Sequence, residues 1–287
     1  MTLQRPKSLI LLLDIDGTLL DTDVHLSNAM VTIFKKYGVD FRPEEFFENK
    51  TFPVPNAQGV MEDKTISLFG GAWEMVYHYL KSKNPDIDVS VDAFRTEIVD
   101  YVSSYHDDVV VRQDVVDMIL AIQMQCAELG MGFAKILVTN AARKEALVNQ
   151  DILKQAGLTV DKLVSADDVT LRKPYPEPYL LGHQLGCDII TAQGFDPDDA
   201  IVIKLEDSPL GAKSACIAAQ SYNGICFYVQ TTRRELLLPE LTDDEADHFV
   251  VEQDIAALGL KISTLLQGRG TLPHEAKRIL KSGTSPQ

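Results

Sequence analysis

The chain is poor in sulfur and in basic residues, and it has no long apolar run. Its 287 residues include four cysteines, Cys126, Cys187, Cys216 and Cys226, with no Cys-x-x-Cys pair among them. That scatter argues against a zinc ribbon or a disulfide framework, and a reducing cytoplasm is the expected setting. The six histidines lack a His-x-x-x-His spacing, which removes the usual pattern of a helical zinc site. No stretch approaches the roughly 20 apolar residues that span a bilayer, so no membrane partner is expected. The short apolar run behind Arg5 and Lys7 ends in Asp14 and Asp16 rather than in small residues, unlike a secretory signal. Lysine and arginine total 27 against 42 aspartates and glutamates, a formal net charge of -15. Nucleic acid is therefore not an expected partner, and any anionic ligand needs a local positive site.

What is present is an ordinary globular composition, 45% hydrophobic and 24% charged. Its most informative stretch is Leu11-Leu12-Leu13-Asp14-Ile15-Asp16-Gly17-Thr18, an apolar run that stops at two carboxylates one residue apart. Continuous apolarity fits a strand covered on both faces, as in a parallel sheet. Its carboxyl end is where open α/β sheets hold their ligands. A solvated Asp-Gly turn is the ordinary alternative for this segment taken alone. A calcium loop fits worse, because glycine comes fourth rather than sixth and the twelfth residue is His25 rather than glutamate.

Four further apolar runs repeat the pattern, at 135–138, 162–164, 200–205 and 225–229. Helical periodicity separates them: 114–129 stops at Gly130, 145–156 at Gly157, and Ser208-Pro209 opens a helix rich in small residues. This alternation predicts an α/β fold, a Rossmann-like three-layer core on a parallel sheet. Residues 23–110 break the alternation and read as a mainly helical domain inserted after the first strand. That insert holds 13 of the 21 Phe, Trp and Tyr residues, which a small helical core needs for filling. The expected division is a core of 1–22 and 111–262, a cap of 23–110, and a C-terminal extension of 263–287 without assigned function.

The ends of the apolar runs carry the chemistry. Thr139-Asn140 follow Val138, the loop with Lys173-Pro174 follows the third run, and Glu206-Asp207-Ser208 follow Leu205. In a parallel sheet these ends share one edge and meet Asp14 and Asp16. Clustered carboxylates repel unless a cation neutralises them, and hard oxygen ligands favour magnesium, which bridges carboxylates to phosphate. A lysine and a hydroxyl beside them suit the remaining phosphate oxygens.

These four motifs in this order resemble the haloacid dehalogenase superfamily, in the branch with a helical cap after the first strand, similar to small phosphatases and β-phosphoglucomutase. The likeness covers roughly residues 9–258. It implies Asp14 as a nucleophile that forms an aspartyl-phosphate, and Asp16 as general acid and then base. It implies Mg2+ held by Asp14, the main-chain carbonyl of Asp16, and Asp207, with Glu206 nearby. Thr139, Asn140 and Lys173 would hold the phosphate, and a small phosphorylated metabolite would be the partner. A phosphomutase and a catalytically quiet ligand-binding protein remain alternatives. Dehalogenase and phosphonatase chemistry are disfavoured by Asp16.

Overall fold

In the computed structural model, five hydrophobic residues in a row, Leu9 to Leu13, are fully buried near the start of the described chain, and the architecture is built around them. The structure describes residues 6–46, 48–56, 58–68, 73–104, 109–222, 224–229 and 238–268. The C-terminal extension beyond residue 268 lies outside them. The first elements are β1 (Ser8–Leu13), β2 (Leu20–Asp21), α1 (Asp23–Lys36), β3 (Asn49–Pro55) and β4 (Met61–Ser67), then α2 (Trp73–Lys83), α3 (Val91–Ser103) and β5 (Val110–Val111). There follow α4 (Gln113–Glu128), β6 (Gly132–Val138), α5 (Arg143–Gln155), β7 (Lys162–Val164), α6 (Glu177–Ala192) and β8 (Ala200–Glu206). The last are α7 (Pro209–Ala219), β9 (Gly224–Tyr228), α8 (Asp243–Ala246), β10 (Phe249–Val251) and α9 (Ile255–Leu266).

The main sheet has the order β10-β9-β8-β1-β6-β7, with every pairing parallel. Successive side chains of a strand face opposite ways, so β1 feeds two cores. Leu9, Leu11 and Leu13 join residues of α4 and α9 on one face, while Ile10 and Leu12 join Tyr179, Ile190 and the alanines of α7 on the other. Helix α6 approaches closely because it presents glycine: a Cβ on Gly186 would stand 2.6 Å from Ile10 Cγ2. The sheet has one strand more than the apolar runs suggested. The edge strand β10 is only three residues long, too short to show a period. Helix α9 continues past residue 262, and Leu265 and Leu266 belong to the core, so the chain beyond 262 begins inside that helix.

The inserted segment has its own apolar cluster, drawn from α1, α2, α3 and the loops between them. Phe34, Phe41, Phe52, Tyr79 and Phe94 are buried in it, which accounts for most of the aromatic enrichment as packing. One feature departs from the helical expectation. Phe52-Pro53-Val54-Pro55, whose two prolines rule out a helix interior, belongs to β3, which pairs antiparallel with β4. A two-stranded ribbon has a free edge on each strand, and prolines are tolerated there because no sheet partner needs their missing N–H.

Leu12→Ala should lower stability by about 2–5 kcal/mol through lost burial and the cavity left behind. Equilibrium urea unfolding measures this; a cost below about 1 kcal/mol would mean that the β1 core can collapse around the gap.

Candidate active site

The carboxyl ends of β1, β6 and β8 deliver the expected residues to one edge of the sheet. Asp14, Asp16, Thr139, Asn140 and Lys173 line a single small cavity of about 50 Å³, together with Ser208, Glu145, Leu26, Phe46 and Trp73. The chain turns sharply after Asp16 at Gly17, whose φ is +81°. A Cβ on Gly17 would lie 1.9 Å from Asp207 Oδ2, so glycine is needed for both conformation and space. Arg112 fixes this turn by donating to the carbonyls of Gly17 at 3.2 Å and Val229 at 3.3 Å.

Lys173 is the centre of the charge pattern. Its ammonium, almost fully buried, donates to Asp14 Oδ1 at 2.7 Å, Glu206 Oε1 at 2.5 Å and the Val138 carbonyl at 2.8 Å. Burial opposes its charge, but Asp14 and Glu206 outweigh that and hold the group well above the ordinary lysine range. Glu206 is further engaged by the Tyr179 hydroxyl at 2.5 Å and the Ser208 hydroxyl at 3.3 Å. Ser208 also caps α7 by accepting the Gly211 N–H at 3.1 Å. A Cβ on Gly211 would come within 2.2 Å of the Glu206 carboxylate, so this helix start is open only because glycine stands there.

The carboxylates of Asp14, Glu206 and Asp207 have oxygens within 4.8 Å of one another, all buried. Thr18 bridges two of them, its hydroxyl 3.2 Å from Asp207 Oδ1 and 3.4 Å from Asp14 Oδ2. Two of these three carboxylates share one buried lysine, and three hard oxygen donors so close together fit a divalent cation. The carboxylate of Asp16 lies outside this trio. Thr139 turns its hydroxyl oxygen toward the Ala141 N–H at 2.9 Å, at the start of the loop into α5. Asn140 clamps the Lys173 backbone in both directions, accepting its N–H at 3.0 Å and donating to its carbonyl at 3.3 Å. Its amide thus also holds the lysine loop in place.

Burial pushes three of these acids up. Asp14 rises to about 8, mainly by desolvation and then by the charge of Glu206, with Lys173 opposing. Asp16 rises to about 6 for the first of these reasons. Glu145 rises to about 8 through burial and the charge of Asp16.

Sequence reasoning missed several participants. Tyr179 and Gly211 follow no apolar run, Arg112 follows only the three valines at 109–111, and their roles depend on approach distances that a sequence does not carry. Glu145 sits mid-pattern in a helix, and only its burial marks it. Five basic residues of the segment 23–110, Lys35, Lys36, Arg42, Lys64 and Arg95, do not line the site. Lys36 pairs with Glu97, Arg42 with Glu45, and Arg95 with Asp167, while Lys35 is exposed. Lys64 lines a second cavity of about 410 Å³ that adjoins the first at Lys173.

A family model described as haloacid dehalogenase-like hydrolase matches residues 11–221, and the chain belongs to that family. It is 26% identical over 247 residues to validoxylamine A 7'-phosphate phosphatase from Streptomyces hygroscopicus subsp. limoneus, covering 83% of this chain and 97% of that protein. Among solved structures, a HAD-family hydrolase from Deinococcus radiodurans R1 with bound phosphate and sodium aligns with a TM-score of 0.56 at 16% identity, over 92% of this chain and 99% of that one. A β-phosphoglucomutase from Clostridium difficile aligns with a TM-score of 0.55 at 15% identity, over 91% and 99%. At these identities the solved structures speak for the fold alone, and they share it.

Two outcomes are expected. Gly211→Ala should push Glu206 off Lys173 and cost about 1–3 kcal/mol in thermal or urea unfolding; an unchanged midpoint would show that Glu206 can yield without loss. Asp14, Asp16 and Glu145 bind their protons more tightly folded than unfolded. Their contribution is complete below the unfolded value of about 4 and is lost as pH rises toward about 8. The metal-free protein should therefore lose thermal stability across that window, and magnesium should restore it most at the upper end. A melting profile indifferent to pH and magnesium would contradict the cation-accepting cluster.

Proposed function

We propose that the chain is a magnesium-dependent phosphatase that hydrolyses a small phosphomonoester through an aspartyl-phosphate. The observation that carries this reading is the buried ammonium of Lys173 shared between Asp14 and Glu206, with Asp207 alongside. The phosphatase activity named for the Streptomyces relative supports it. Magnesium would be held by Asp14, Asp207 and the main-chain carbonyl of Asp16, with Glu206 in reach, and when bound it would offset charge on the transferring phosphoryl group. Lys173 would hold a phosphoryl oxygen, with the Thr139 hydroxyl and the Asn140 loop on the others.

Asp14 would attack phosphorus, forming its P–O bond as the ester P–O bond breaks. Asp16 would give a proton to the leaving oxygen, and its value of about 6 lets it do so near neutrality and then receive one from water. Water attacking the phosphoaspartate releases phosphate and restores Asp14. The segment 23–110 would act as the cap that closes over the site, on a core of 1–22 and 111–262 followed by the extension 263–287. The four free thiols are in keeping with a cytoplasmic setting.

A mutase needs a cradle for a second phosphate. Among the described residues that line the site cavity, Lys173 is the one lysine or arginine, which favours hydrolysis. Lys64 and Arg172 in the adjoining cavity are what a transfer reaction would draw on, although Arg172 is paired with Glu74.

Phosphate release from a panel of phosphorylated metabolites should require magnesium and be abolished by Asp14→Asn, whereas Asp16→Asn lets labelled phosphoenzyme accumulate. Equal release by wild type and Asp14→Asn would sink the nucleophile assignment. Bisphosphate formation in the same panel would favour the mutase.

A further inference from the structure

The cavity that holds Asp14, Asp16 and Lys173 is also lined by side chains to which the chemistry above gives no part. Glu145, 3% exposed, lines the cavity from the first turn of α5. Trp73, the first residue of α2 and the chain's single tryptophan, donates its indole N–H to Glu145 Oε2 at 3.4 Å. Leu26 and Phe46 complete this part of the lining. The wall is thus apolar and aromatic with one acid set into it. Glu145 also accepts the Ala142 N–H at the helix start, and that structural duty alone would explain a buried glutamate there. It does not explain why the same acid faces the cavity beside Asp16, where burial and like charge make an acid costly.

Resting on the phosphatase reading above, we propose that Glu145 selects the leaving group, favouring a phosphomonoester whose alcohol is a hydroxylated ring bearing an ammonium or hydroxyl donor and rejecting alcohols that carry a carboxylate. A hydrogen-bond donor on the ring satisfies the Glu145 oxygen, and either protonation state of the acid accepts such a bond. The carbon faces of a ring lie against Trp73 and Phe46, the usual division of labour in a small-molecule site. A carboxylate on the alcohol would bring a third acid beside Asp16 and Glu145, while the nearby cations are already engaged: Lys173 by Asp14 and Glu206, and Arg95, whose charge reaches Glu145, by Asp167.

The test compares wild type, Glu145→Gln and Glu145→Ala with magnesium on glucosamine 6-phosphate, phosphoglycolate and p-nitrophenyl phosphate. Glutamine keeps one oxygen for the Ala142 N–H and the indole but turns the other acceptor into an N–H donor. Glu145→Gln should lower kcat/KM for glucosamine 6-phosphate about 10- to 100-fold, mainly through KM, the range of a ligand donor left facing a donor. It should raise phosphoglycolate turnover, and any loss on p-nitrophenyl phosphate, whose ring carries no such donor, should be about tenfold smaller than the loss on glucosamine 6-phosphate. Trp73 fluorescence, titrated with glucosamine 6-phosphate in Asp14→Asn and in Asp14→Asn with Glu145→Gln, should show the same weakening without turnover. Wild-type preference for phosphoglycolate overturns the proposal. So does an equal effect of Glu145→Gln on all three substrates, which would mark a purely structural acid. If none of the three, p-nitrophenyl phosphate included, releases phosphate, the phosphatase reading itself fails and this inference falls with it.

Discussion

One buried cation holds the site together. Lys173 joins Asp14 from the first strand and Glu206 from the end of β8, residues far apart in sequence that would otherwise repel in a desolvated space. Everything near it serves that contact: Asn140 grips its backbone, Tyr179 shares Glu206, and glycine at 211 leaves the carboxylate room. A single ammonium cannot balance three buried carboxylates, and the residual negative charge is of the kind that a divalent cation would offset.

The inserted segment meets this site in two ways that differ in weight. Ion pairs cross between it and the core, Arg172 with Glu74, Arg95 with Asp167, and Lys144 with Asp100 at 2.7 Å. The last is well exposed on both sides and contributes little. Apolar contact is more consequential: Ala142, at the start of α5, belongs to the cap's cluster, and Trp73 reaches Glu145. Aromatic residues that fill the small domain's core thus have two members, Phe46 and Trp73, that also form the wall of the cavity.

Much of the fold was legible because burial on both faces of a parallel strand leaves an unbroken apolar run. The runs at 135–138, 162–164 and 200–205 fall within β6, β7 and β8, the run at 225–229 overlaps β9 up to Tyr228, and the helix starts and stops at Ser208, Gly130 and Gly157 are where their chemistry put them. The short β10 and the proline-containing hairpin were not legible: three residues hold no period, and Pro53 reads as a breaker until a partner strand is known. In the site, Asp14, Asp16, Thr139, Lys173, Glu206 and Asp207 were readable from their places after apolar runs. Arg112, Tyr179, Gly211 and Glu145 were not.

By itself the sequence determined which residues end the strands, and a parallel sheet obliges those ends to share an edge. Only the tertiary structure decided how the charges are apportioned there, with Lys173 on Asp14 and Glu206 rather than free, and Thr18 bridging Asp14 to Asp207. It also brought Glu145 and Trp73 into hydrogen-bond contact in the cavity lining from positions 72 residues apart. The reason is physical: periodicity reports which side of an element is buried, whereas charge pairing and cavity lining depend on distances between elements, which packing alone fixes.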